Sequence, residues 1–92
     1  MTMTNEGTKA PTVQIELSYP VRSDGTELRV LQLRRPRVKD HLLISKQGGT
    51  EEDKEVRLFA NLCEVTPETI QDMDMEDYKK LQDTYVRFFD SK

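Results

Sequence analysis

The sequence predicts an α+β fold in which an N-terminal two-stranded antiparallel β-hairpin, from about Val13 to Leu33, packs on three to four helices. Three observations carry this reading. Apolar and polar residues alternate from Val13 to Tyr19; Ser23-Asp24-Gly25 offers turn chemistry before a second apolar run; and from Thr50 onward apolar residues recur every three or four positions behind capping side chains.

In the first strand Val13, Ile15, Leu17 and Tyr19 share one face while Gln14, Glu16 and Ser18 occupy the other, and Pro20 is expected to end it. The turn follows because Asp closes local side-chain turns and Gly accepts positive φ. The return strand places Leu28 and Val30 on one parity and Leu31 and Leu33 on the other, so a bulge or strong twist is expected between Val30 and Leu31. A helix should start near Pro36, bury Val38, Leu42 and Ile44 or Ser45, and stop at Gly48-Gly49. Thr50-Glu51-Glu52-Asp53 reads as a capping box opening a core helix through Val56, Phe59, Ala60 and Cys63. Thr66-Pro67 caps a short helix to about Asp72 with Ile70 inward. The last helix, from Met75, carries the stripe Tyr78, Leu81, Gln82, Tyr85, Phe88 and Phe89.

Composition narrows the function classes. With 92 residues, 35% hydrophobic and 34% charged, the chain has the size of one small domain, read as 13–92 behind a flexible polar tail, 1–12. So short a chain buries only roughly 60–65% of its unfolded surface, and its thin core points to self-association. No run approaches the roughly 18 apolar residues of a membrane span, and the first residues lack the pattern of a secretory leader, so a cytosolic location is expected. Residues 1–40 carry seven Lys or Arg against five Asp or Glu, whereas 41–92 carry seven against twelve, a mildly basic front and an acidic back.

Chemistry-bearing patterns are sparse. The single His41 has no nucleophile at a motif spacing, the single Cys63 forms no internal disulfide and completes no zinc site, and Gly48-Gly49 lacks the rest of a phosphate loop. Most carboxylates of the acidic half stand at predicted helix starts, where capping and the helix dipole account for them. Catalysis, a cofactor and a bound metal are therefore not expected. Two patterns remain as candidate contact sites. Arg34, Arg35 and Arg37, with Lys39, form the densest basic run at a corner stiffened by Pro36; they suit a partner's carboxylates, or alternatively a nucleic-acid phosphate backbone in a small regulator. An overall pI near 5.1 and the lack of a stacking aromatic in the run favour the protein partner. The second pattern is the end of the final stripe, where Tyr85, Phe88 and Phe89 are candidate partner contacts; on truncation Leu81 and Tyr85, mid-stripe, should behave as core, and Phe88 or Phe89 as docking residues.

The order of these pieces carries a resemblance. A strand ending in Tyr19-Pro20, a return strand Leu31-Gln32-Leu33-Arg34-Arg35-Pro36, a basic helix closed by Gly48-Gly49, then Phe59-Ala60-Asn61-Leu62-Cys63-Glu64-Val65-Thr66-Pro67-Glu68 and Asp77-Tyr78-Lys79-Lys80-Leu81-Gln82, resembles the short tail assembly chaperones of Mu-like and related contractile-tailed phages. The resemblance spans Val13 to Phe89. It implies a non-catalytic protein of the host bacterial cytoplasm that binds the tape measure protein and keeps it soluble until tail tube subunits replace it. It further implies a homo-oligomer, and a longer frameshifted form whose extension recruits the tail tube protein.

Overall fold

The computed structural model describes residues 12–90, apart from the side chain of Asp90, so the predicted tail, except for Thr12, lies outside the described residues. In chain order the elements are β1 (Thr12–Ser23), β2 (Thr26–Arg34), α1 (Val38–Ser45), α2 (Glu51–Cys63), α3 (Pro67–Gln71) and α4 (Met75–Asp90). The expected α+β architecture is present: a two-stranded antiparallel hairpin followed by four helices.

The hairpin closes through Asp24 and Gly25, both at positive φ (52° and 78°), the conformation a two-residue turn needs to match the twist of its strands. Two expectations about the strands change. β1 does not stop at Pro20 but runs on to Ser23, and the irregularity lies in β1: Glu16 pairs with Val30 and Val21 with Leu28, which leaves Leu17 to Pro20 opposite Arg29 alone. The physical reason is Pro20 itself. Having no N–H, it is tolerated where the ladder is already interrupted, so the extra residues collect on its strand. The face change seen in β2 is the imprint of that bulge on its partner.

The core sits between the helix-facing side of the hairpin and α2 to α4. Ile15, Leu31 and Leu33 meet Phe59, Leu62 and Cys63 of α2, and Ile70, Met73, Leu81 and Phe88 close the cluster. Phe59 is fully buried and receives Tyr78 and Tyr85 edge-on, each ring centroid 5.6 Å away. The predicted caps form: Thr50 Oγ1 accepts from the Asp53 amide and Asp53 Oδ2 from the Thr50 amide, both at 3.1 Å, while Thr66 Oγ1 accepts from the Thr69 amide at 3.2 Å. Such pairs satisfy amides that a helix start leaves without a partner.

Helix α1 departs from expectation. It buries Ile44, as expected, but together with Asp40, whereas Val38 is 76% and Leu42 50% exposed. Residues 40 and 44 share a face just as 38 and 42 do, so apolar spacing alone does not choose between the two orientations. A polar anchor at Asp40 decides it.

Candidate protein-contact surface

The strand-to-helix corner is built around that anchor. Arg34, at the end of β2, donates from Nη1 to Asp40 Oδ2 at 2.9 Å and from Nη2 to Oδ1 at 3.0 Å. Asp40 also accepts from the Arg37 amide at 2.8 Å, the first turn of α1, and from Asn61 Nδ2 of α2 at 2.9 Å. The Arg34 hydrogen bonds, helped by the Arg37 amide and Asn61 and opposed by burial, hold the Asp40 carboxyl down at about 2. A charge this deep is stable only because each carboxylate oxygen is matched by donors.

The three corner arginines therefore have three different fates. Arg34 is engaged within its own chain. Arg35 lays its guanidinium over the Phe88 ring, 5.5 Å from the centroid, and so ties the corner to the end of α4. Arg37 is exposed and forms no ion pair among the described residues. The basic run is thus not a row of free cations facing one way.

The second buried carboxylate is Asp77, which the sequence offers only as a helix-start capping residue and as part of the resemblance. Asp77, fully buried in the first turn of α4, accepts from the amides of Ser18 at 2.8 Å and Tyr19 at 2.9 Å and pairs with Lys80 Nζ at 3.1 Å. Burial works to raise its pKa; the two amides and the Lys80 ammonium outweigh that and hold it below the ordinary value. These amides are ones the β1 bulge withdraws from the ladder, so the bulge and α4 are fitted to each other. Lys80 Nζ also donates to the Glu16 carbonyl at 2.9 Å. The only local signal was position: Asp77 stands three residues after Asp74, where a capping-box carboxylate would stand, yet it reaches across to a strand some 58 residues away.

The aromatic stripe divides. Leu81 is fully buried, Tyr85 is half-buried between Phe59 and Phe89, Phe88 belongs to the core cluster, and Phe89 is 63% exposed. On the same side of the molecule α1 presents Val38 and, one turn on, His41. Between α1 on one side and α2 and α4 on the other runs a trough in two parts. One, of about 310 Å³, is lined by Pro36, Arg37, Val38, His41, Tyr85 and Phe89; the other, of about 410 Å³, is floored by Ile44, Leu58 and Phe59 and reaches Glu51, Lys54 and Glu55. His41 and Tyr85 line both, which makes the trough continuous. Glu55 is occupied by the Tyr78 hydroxyl and by Gln82 Nε2, whereas Glu51 and Glu52 stand exposed.

Little else has the makings of chemistry. Burial pushes the Cys63 thiol up to about 12, the opposite of what a nucleophile requires. Among the described residues no group of three or more His, Cys, Asp or Glu could hold a metal ion, and no helix is long and apolar enough to cross a membrane. What the surface can do is cover apolar side chains of another protein.

No curated protein and no solved structure matches the chain. A family model does, across residues 14–90, and its description is "Phage tail assembly chaperone proteins, E, or 41 or 14". The matched span takes in both anchoring aspartates, the corner arginines and every trough residue named above. The chain belongs to this family of phage tail assembly chaperones.

Proposed function

We propose that the protein, with residues 13–92 acting as one unit, binds the tape measure protein and keeps it soluble in the host bacterial cytoplasm while tail tube subunits assemble around it. The role is non-catalytic. The observation that carries the reading is the apolar trough that α1 forms with α2 and α4: in a chaperone family, the chain leaves Val38 and Phe89 more than half exposed along it, beside a floor of Ile44, Leu58 and Phe59. Large apolar side chains gathered on one face of a small protein mark a contact surface, since leaving them in water costs roughly 25 cal/mol per Å². The nucleic-acid alternative is less favoured, because Arg34 of the basic run is already paired with Asp40.

In this reading the protein also self-associates, and a longer frameshifted form sharing these residues brings the tail tube protein to the client. Co-expression with the tape measure protein of the same phage tests the role. The soluble fraction of the client should rise several-fold and the two proteins should co-purify. An insoluble client and an empty pull-down would refute it.

A further inference from the structure

We infer that the trough between α1 and the facing sides of α2 and α4 receives one amphipathic helix of the client in a single polarity, antiparallel to α1; this rests on the holding role proposed above. The walls of the trough are helices, so it offers side chains and no free strand edge. The occupant that fits is therefore a helix docking its apolar ridge, not an extended segment adding to a sheet. The eight residues of α1 span about 12 Å, which matches two to three turns of a partner with apolar anchors at i, i+3 or i+4, and i+7.

Charge sets the direction. At the Val38 end the rim carries Arg37, exposed and without an ion pair among the described residues. At the Ser45 end it carries Glu51 and Glu52, both exposed, with Lys54 beside them. A docked helix with its N-terminus and Lys or Arg side chains at the glutamate end, and its C-terminal carbonyls or an acidic residue at Arg37, satisfies both ends at once; the reverse orientation opposes both.

Overlapping synthetic peptides covering the tape measure protein, titrated against the intact chain, test this. The wild type should select segments with an apolar helical stripe and Lys or Arg in the N-terminal half. Val38→Asp and Phe89→Asp should each weaken the selected peptide at least tenfold with unchanged melting, while Met75→Asp, at an exposed apolar position away from the trough, should not. Glu51→Lys combined with Glu52→Lys should weaken it several-fold, and a peptide with its N-terminal Lys or Arg replaced by Glu should recover binding to that variant. Undiminished binding by Val38→Asp and Phe89→Asp would overturn the trough while leaving the holding role intact. Loss of self-association in these variants with peptide binding unchanged would assign the trough to a second copy and overturn the proposal. Selection of peptides with the opposite charge order would overturn the polarity, and failure of every peptide and of the full-length client would refute the holding role itself.

Discussion

The two sides of α1 and α4 are finished differently. On one side buried carboxylates close the structure: Asp40 gathers Arg34, Asn61 and the Arg37 amide, and Asp77 gathers the amides of the β1 bulge. On the other, Val38 and Phe89 face water along the trough. The closed side fixes where the helices lie. The open side is then available for a partner without cost to the fold, because the apolar groups there add little to its stability. Together the two sides explain how an eight-residue helix exposes its apolar strip without turning over to bury it.

The largest break in this comparison is expected in the core beneath both sides. Phe59→Ala removes the ring that receives Tyr78 and Tyr85 and should cost about 3–5 kcal/mol, enough to leave the chain largely unfolded at physiological temperature by calorimetry or circular dichroism. Next comes the anchor of the bulge. Asp77→Ala leaves the Ser18 and Tyr19 amides without their acceptor and should cost about 2–4 kcal/mol in denaturant unfolding, with faster amide exchange in β1 between Glu16 and Val21.

Acid sharpens the comparison in a different way. The Asp40 pKa is depressed in the folded chain from an ordinary value of 3.8 to about 2, so its contribution of about 2 kcal/mol is fully present above pH 4 and is lost as pH falls through about 2. The wild-type melting temperature should fall steeply over that window. Asp40→Asn should start lower at neutral pH and fall less. The smallest expected effect on folding belongs to the open side: Val38→Ala and Phe89→Ala should each change stability by no more than about 0.5 kcal/mol while reducing capture of the tape measure protein. Phe88→Ala, one residue away, should behave as a core change.

How much of this was legible in the sequence depends on the range of the interaction. The capping boxes, the inward faces of α2 and α4 and the Asp24-Gly25 turn are set within a few residues, and reading locally finds them. The orientation of α1 was missed because two faces of an eight-residue helix compete and the winner is chosen by Arg34 in the strand before it and Asn61 in the helix after it. The strand that carries the bulge is hidden from local pattern for a related reason: Pro20 signals a stop, whereas the Asp77 carboxylate far along the chain takes up the amides before it and β1 continues to Ser23. Of the candidate contact residues, Arg35, Arg37 and Phe89 are exposed, whereas Arg34 is paired with Asp40 and Phe88 lies in the core, through contacts that no local pattern encodes.

Hydrogen exchange across the chain, with and without the co-expressed tape measure protein, tests the division between a closed side and an open one most directly. The account predicts that binding slows exchange in α1 and in the last turns of α4 around Tyr85 to Phe89, and leaves β1, β2 and the first turn of α4 at Asp77 as they were. Protection gained mainly along the hairpin, with α1 and the end of α4 unchanged, would contradict it.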